Sequence, residues 1–134
     1  MSWDVLMIRT KTNCETINAI TSENILPFTQ AEIAAEIQKI ATELHAICNC
    51  TDLSWQTLDG NGWSIEFNVG EEAETPSVML HIRGGEPKAV FALLMTDLNT
   101  RLIDGGTGFI TFDKPTSFET WKAYRDRMID EQSL

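Results

Sequence analysis

Apolar and polar positions alternate with a period of two in the middle of the chain. Between residues 63 and 69 every second residue is apolar, namely Trp63, Ile65, Phe67 and Val69. This alternation is typical of a strand with one buried and one solvated face. The preceding segment 59–62 is Asp-Gly-Asn-Gly, and these residues tolerate positive φ. Residues 53–58 and 63–69 are therefore predicted to form a hairpin.

The run "SVMLHIR", residues 77–83, predicts a third antiparallel strand. One face of this strand carries Val78, Leu80 and Ile82, and the other face carries Met79, His81 and Arg83. Short links join the three strands, which predicts a meander. Trp63 is predicted to lie in the core, and Trp55 is placed there too because it shares the strand phase of Leu53.

A helical period begins after Thr29. Thr29 and Glu32 match a capping box, in which each side chain bonds to the other residue's backbone amide. Apolar residues then recur at spacings of four, three, four and three: Ile33, Ile37, Ile40, Leu44 and Ile47. This stripe is predicted to pack on a core. The polar residues predicted to lie nearer to solvent are Glu32, Glu36, Lys39 and Glu43.

The rest of the chain predicts two further helices and several short extended pieces. One helix begins at Glu86-Pro87. The other spans residues 117–132, with a stripe formed by Phe118, Trp121, Tyr124 and Met128. Residues 3–9 and two pieces within 101–112 are predicted to be extended. The chain 1–134 is thus predicted to be a single α+β domain, a mostly antiparallel sheet with a central three-stranded meander and about three helices packed on it.

The charge balance argues against two classes of function. Twenty acidic residues against ten basic ones give a formal net charge of −10, which repels nucleic acid and anionic membranes. No apolar run approaches the roughly 20 residues that cross a bilayer. The N-terminus has no basic region before its apolar stretch and no small-residue cleavage site, so it is interpreted as a strand and not as a signal peptide. A cytoplasmic protein is expected.

The three cysteines predict neither a disulfide framework nor a metal site. Cys48 and Cys50 have the spacing C-x-C, which rarely bonds internally, and Cys14 makes the number odd. A metal site would need a second pair of ligands, and the nearest histidine is His45. Cys48 and Cys50 are therefore interpreted as small residues that close a helix, and no cofactor is expected.

The end of the third strand, His-Ile-Arg-Gly-Gly, raises the possibility of catalysis. His81 could act as a general base and Arg83 as an anion clamp. Both residues also fit the solvated face of an antiparallel strand, and no nucleophile stands in a recognisable motif. The glycines at 84–85 and 104–108 match no phosphate-binding loop, because Glu86 follows the first group and no helix follows the second.

Acidic residues accumulate without local bases in the middle of the chain. Between Lys39 and Arg83 there is no Lys or Arg, and seven acidic residues fall in this interval. Those on neighbouring turns and hairpin faces could form one surface: Asp59, Glu66, Glu71, Glu72 and Glu74. Such a surface raises the association rate with a cationic partner. A solvated surface that only supplies solubility is the alternative.

The segments "GWSIEFNVG" and "SVMLHIRGG", together with the ending "FITFDKPTSFETWKAYRDRMI", resemble small acidic immunity proteins of bacterial contact-dependent growth inhibition and related polymorphic toxin systems. The resemblance implies a non-enzymatic protein that binds and neutralises a cognate toxin domain, as a monomer or a weak dimer. It brings no catalytic motif to this chain.

Charge and resemblance together predict a basic toxin, in particular a nuclease whose cationic cleft holds phosphates. In this hypothesis the salt bridges come from Glu66, Glu71, Glu72 and Glu74, Asp59 contributes at the rim, and His81 and Arg83 donate hydrogen bonds. Two alternatives stay open. One is a small enzyme or ligand-binding domain with His81 and Arg83 in an anion pocket, and the other is an oligomeric protein that pairs through its sheet edge.

Overall fold

The computed structural model describes residues 2–12, 14–105 and 108–111. In chain order the elements are β1 (Trp3–Ile8), β2 (Phe28–Thr29), α1 (Gln30–Leu44), β3 (Ile47–Asn49), β4 (Trp55–Asp59), β5 (Trp63–Asn68), β6 (Glu74–Thr75), β7 (Val78–Gly84), α2 (Lys88–Asp97), β8 (Arg101–Asp104) and β9 (Gly108–Phe109). A short 3-10 helix, Ile17–Ala19, interrupts the loop between β1 and β2.

Seven of the strands form one antiparallel sheet in the order β3-β4-β5-β7-β1-β8-β9. The hairpin predicted from residues 53–58 and 63–69 is confirmed as β4 and β5. β2 and β6 pair with each other as a separate two-stranded sheet. The first strand of the chain therefore lies inside the main sheet, with β7 on one side and β8 on the other.

The prediction of a three-stranded meander carrying about three helices is wrong. The sheet has seven strands, and the described residues contain two α-helices. β1, β8 and β9 extend the sheet beyond β7, and β3 extends it beyond β4. The pairings of β1 join residues that are far apart in sequence, such as Val5 with Leu80 and with Asp104, and local alternation does not specify such partners. The helix predicted over 117–132 lies outside the described residues.

The helix α1 begins at the predicted cap and ends earlier than predicted. The backbone N–H of Glu32 donates to Thr29 Oγ1 at 3.1 Å. The helix ends at Leu44, because His45 adopts a left-handed backbone with φ of 54°. Ile47 therefore does not extend the helical stripe but lies in the edge strand β3, where it is 74% exposed. Cys48 lies in the same strand, so the interpretation that it closes a helix is also wrong.

The helical pattern also predicts the exposure of Glu36 wrongly. It is predicted to lie near solvent, but it is only 7% exposed. Its carboxyl group bonds to Asp97 at the end of α2, and Lys39 Nζ lies 2.9 Å from Asp97 Oδ2. The pattern fails here because α2 covers the flank of α1 that carries Glu36.

Both helices cover the same face of the sheet. The shared core includes Val5, Met7, Ile33, Ile37, Leu58, Ile65, Phe67, Leu80, Ile82, Val90 and Phe91. The rings of Trp3 on β1 and Phe91 on α2 lie 5.7 Å apart with a tilt of 59°. Each large apolar side chain buried in this way contributes about 1.5–3 kcal/mol. The core thus fixes which side chains the sheet presents on its opposite face.

That opposite face, called the outer face below, is carried by alternate residues of the strands. On the strands β1, β4, β5 and β7 its members are Asp4, Leu6, Trp55, Thr57, Asp59, Ser64, Glu66, Asn68, Met79, His81 and Arg83. The prediction that Trp55 lies in the core is wrong. Leu58 pairs with Ile65 and faces the core, so Trp55, three residues earlier, faces outward and is 40% exposed. Trp63 packs half-buried against the core.

Within the described residues, no helix combines the length and the apolar character needed to cross a bilayer.

Candidate functional site

An acidic ribbon connects β5 to β7. We use this name for residues 70–75, whose backbone is anchored on two sides. The N–H of Gly70 donates to the carbonyl of Ser54 at 3.0 Å. Gln30, the first residue of α1, donates from its side-chain amide to Gly70 O at 2.6 Å and from its backbone N–H to Ala73 O at 3.0 Å. The ribbon is therefore fixed to the start of α1 and to the start of β4.

The acidic ribbon carries Glu71, Glu72 and Glu74, which are all exposed. Within residues 2–12, 14–105 and 108–111, no cationic nitrogen pairs with any of these carboxylates. Glu74 stands opposite Thr29, the N-cap of α1, where the helix dipole favours negative charge. Three like charges on an anchored backbone repel one another, so the ribbon is a local source of negative potential.

Asp59 lies at the other end of the sheet. β4 runs from Trp55, which follows the anchor residue Ser54, to Asp59. The four steps from Trp55 to Asp59 in an extended strand span about 13 Å. Asp59 is exposed, and its cross-strand neighbours are Ile47 and Ser64. The structure thus brings the three glutamates of the acidic ribbon together, and it does not bring Asp59 to them.

Glu66 and Arg83 are partners of each other on the outer face. Arg83 Nη1 lies 2.8 Å from Glu66 Oε1, and the two side chains are 50% and 30% exposed. An ion pair this exposed contributes about 0–1 kcal/mol to stability. Either group can therefore exchange this partner for one on another molecule at little cost.

His81 is held between two neighbours on the same face. Its Nδ1 lies 2.8 Å from Asp4 Oδ1, which also accepts a hydrogen bond from Ser2 Oγ at 2.8 Å. Its ring stacks on Trp55, with centroids 5.7 Å apart and an interplanar angle of 18°. The predicted placement of His81 and Arg83 on the solvated face of their strand is confirmed: His81 is half-buried and Arg83 is exposed.

This geometry does not favour an anion pocket at His81 and Arg83. Both residues lie on the open outer face, and each already contacts a carboxylate, Asp4 or Glu66. A bound anion would have to displace these carboxylates and approach them closely, which is electrostatically unfavourable.

A cavity of about 690 Å³ lies elsewhere, between the segment 14–18, the end of α2 and the β8–β9 hairpin. Among the described residues that line it, the charged ones are Glu15 and Arg101, whose Oε2 and Nη1 atoms are 3.6 Å apart. The Arg101 guanidinium also lies 3.7 Å from the centre of the Phe109 ring. A hydrogen bond from Thr12 lowers the pKa of Glu15 and so favours its carboxylate. The two charges oppose each other, so the described lining of this cavity offers a ligand little net charge.

The cysteines of the C-x-C pair are free thiols. Cys50 Sγ lies 3.9 Å from the carbonyl of Ala34 in α1. Burial raises the pKa of Cys50 to about 11, and the neighbouring Cys48 adds to the rise. Cys50 therefore stays protonated at neutral pH, which makes it a poor nucleophile and metal ligand. In the part of the chain that the structure describes, no three His, Cys, Asp or Glu side chains are grouped to hold a metal ion.

Sequence reasoning missed Asp4 and misplaced Trp55. Asp4 stands on the polar phase of β1, but its contact with His81 depends on the pairing of β1 with β7. Trp55 is misplaced because a polar residue, Gln56, occupies a core position and hides the phase of β4. Gln56 is fully buried, and its amide donates to the carbonyls of Gln30 and Leu53.

Comparison with known proteins adds no relative. No protein-family model matches the chain, and no curated protein or solved structure matches it significantly. The resemblance to immunity proteins therefore stays a prediction.

Proposed function

We propose that this chain is an immunity protein, a non-enzymatic inhibitor that binds a basic toxin domain in the cytoplasm, and that the acidic ribbon makes the first contact. The observation that supports this most is the ribbon itself. Hydrogen bonds to Ser54 and Gln30 hold the backbone of a segment whose glutamates are exposed and unpaired in the described residues. Solubility depends on net charge and gains nothing from such anchoring, whereas recognition of a partner depends on orientation.

The charge of the acidic ribbon suits a nuclease. A nuclease cleft is cationic because it binds phosphates. The carboxylates of Glu71, Glu72 and Glu74 would meet those cations in place of phosphate and obstruct the entry of the substrate. At physiological salt, attraction between exposed charges fades beyond about 8 Å. The arrangement of charges on the ribbon, more than the net charge of −10, would therefore set the docking orientation.

The outer face supplies groups for closer contact. Arg83 and Glu66 form an exposed pair that can exchange partners with the toxin, and His81 lies beside them. Asp59, at the far end of β4 from the ribbon, would contribute only if the toxin spans the outer face. In this proposal Asp59 is a rim contact.

The test needs the cognate toxin, sought as the variable C-terminal domain of a large secreted protein encoded immediately upstream. Growth is compared in cells that produce this domain with and without the chain. Binding of the two purified proteins is then measured by biolayer interferometry at low and high salt. The double variant Glu71→Gln/Glu72→Gln is expected to associate about tenfold more slowly at low salt and to show a weaker dependence on salt.

A matched control removes the same charge elsewhere. Glu23→Gln/Glu43→Gln alters two exposed glutamates, one in the loop before β2 and one in α1. This variant is expected to associate at nearly the parent rate. If it slows association as much as the ribbon variant, only net charge matters and the role of the ribbon is refuted. A toxin domain that neither binds the chain nor is neutralised by it refutes the function itself.

A further inference from the structure

Trp55 is an unusual residue to find on an open sheet face. Tryptophan carries a large apolar surface that normally contributes to the core or to an interface. Here it is 40% exposed, although the inward positions of the same strand are fully buried. Leu53, two residues earlier, is 41% exposed. Apolar surface left open beside charged groups is typical of the centre of a binding site.

The indole ring of Trp55 is fixed in place. β5 separates β4 from β7 in the sheet, so the side chain of Trp55 reaches across β5 to stack on His81. His81 is in turn held by Asp4, at 2.8 Å between Nδ1 and Oδ1. A ring held on one side loses little conformational freedom when a ligand covers the other side.

The surroundings of Trp55 favour a cationic ligand. The acidic ribbon begins at the same end of the sheet, since Gly70 bonds to Ser54, the residue before Trp55. Glu66 lies on β5, the strand that the indole crosses, and among the described residues its cationic partner is Arg83. An indole face next to negative potential is the strongest aromatic site for a side-chain cation.

We propose that Trp55 is the anchor of the binding site and that it receives an arginine side chain of the basic partner on its ring. Arginine fits better than lysine because the planar guanidinium stacks on an aromatic face and is less strongly hydrated than an ammonium group. This inference rests on the proposed function for the identity of the partner, but the recognition of a guanidinium can be tested without it.

The test is a titration of the ¹⁵N-labelled protein with acetyl-tetraarginine amide, followed by the indole N–H signals in two-dimensional NMR. The Trp55 signal is identified by its absence in Trp55→Phe. It is expected to shift with the arginine peptide, to shift less with tetralysine, and to stay unchanged with tetracitrulline, which has nearly the same shape without the charge. Leu53→Ala is the control for an exposed apolar neighbour and should leave the Trp55 shift in place.

Three results would overturn the proposal. The first is a Trp55 signal that does not shift even at a large excess of the arginine peptide. The second is a shift with tetracitrulline as large as the shift with the arginine peptide. The third is a Trp55 signal that moves with protein concentration alone, because a second copy of the chain would then occupy the outer face.

Measurements with the toxin domain separate this inference from the proposed function. Trp55→Leu is expected to weaken toxin binding at least about tenfold, through faster dissociation and with an unchanged salt dependence. If the toxin binds Trp55→Leu as tightly as the parent, the anchor is wrong and the proposed function stands. If the arginine peptide binds at Trp55 but no toxin is neutralised, the proposed function is wrong and the guanidinium site stands.

Discussion

Replacing Glu36 with Gln tests a buried proton in the contact between α1 and α2. Glu36 is 7% exposed, and its Oε1 atom has no hydrogen-bond partner. Burial raises the pKa of Glu36 from 4.5 to about 7, and the hydrogen bond with Asp97 and the charge of its carboxylate add to the rise. Hydrogen bonds from Glu36 and Lys39 lower the pKa of Asp97 in turn. In the folded protein Glu36 therefore holds the proton and Asp97 holds the negative charge.

The direction in which stability changes with pH follows from the pH at which the folded and the unfolded state each release the Glu36 proton. The unfolded chain loses the Glu36 proton near pH 4.5, and the folded protein keeps it up to about pH 7. Between these values the folded state binds more protons, so the free energy of unfolding falls as the pH rises. A shift from 4.5 to about 7, at about 1.4 kcal/mol per unit, corresponds to a loss of about 3–4 kcal/mol.

Glu36→Gln removes this loss, because its amide can donate to Asp97 and does not titrate. The variant is expected to match the parent near pH 4.5 and to become more stable than the parent toward about pH 8, by up to about 3–4 kcal/mol. The contribution of Asp97 has the opposite sign. Its pKa is lowered, so its stabilisation is lost only as the pH falls below its usual value.

The assay is urea unfolding followed by far-UV circular dichroism across this pH range. Glu43→Gln is the matched control, because Glu43 lies on the same helix and its side chain is 44% exposed. Its stability should differ from that of the parent by much less at every pH, because the charge of Glu43 makes the smallest of the contributions to the raised pKa of Glu36. If the difference between Glu36→Gln and the parent does not grow with pH, or if the variant is less stable than the parent at the upper end, the buried proton is refuted.

Two smaller predictions concern the backbone, and both are read from urea unfolding. At Gly84, with φ of +88°, a Cβ would meet the carbonyl of Gly62, so Gly84→Ala is expected to cost about 2–4 kcal/mol. Gly62→Ala is expected to lower the free energy of unfolding only by the strain of its positive φ, about 1–2 kcal/mol. Gly105 lies in open space, so Gly105→Ala should change this free energy by less than about 0.5 kcal/mol. Equal losses in all three variants would contradict this order. Thr29→Ala should lower the free energy of unfolding by about 1 kcal/mol, whereas Thr29→Ser should lower it little, because serine keeps the capping oxygen. An equal loss for both variants would exclude capping as the cause.

The elements of this fold with local signals could be predicted, and the size of the sheet could not. The Asp-Gly-Asn-Gly turn at 59–62 predicts the β4–β5 hairpin, and Thr29 predicts the start of α1; both are confirmed. By contrast, Val5 pairs with Leu80 on one side and Asp104 on the other. Alternation shows which face of a strand is buried, but it does not show which strand lies beside it.

The same limit applies to the candidate site. The alternation of residues 77–83 correctly places His81 and Arg83 on the solvated face. Their contacts with Asp4 and Glu66 depend on the register of β7 against β1 and β5. The stack of Trp55 on His81 spans three strands, and it becomes visible only when the whole sheet is assembled.

Two unusual features of the surface of this chain, the acidic ribbon and Trp55, lie next to one another. The acidic ribbon keeps its glutamates unpaired in the described residues, and Trp55 leaves indole surface open at the same end of the sheet. The unpaired charges of Glu71 and Glu72 do not stabilise the isolated protein, since like charges repel. The exposed part of the Trp55 ring does not stabilise it either, since exposed apolar surface stays hydrated. Natural chains accept such local conflicts at functional sites. Neutralising Glu71 and Glu72 in the variant Glu71→Gln/Glu72→Gln should therefore weaken binding of the toxin without lowering the stability of the chain. A structural role for these residues cannot produce this combination.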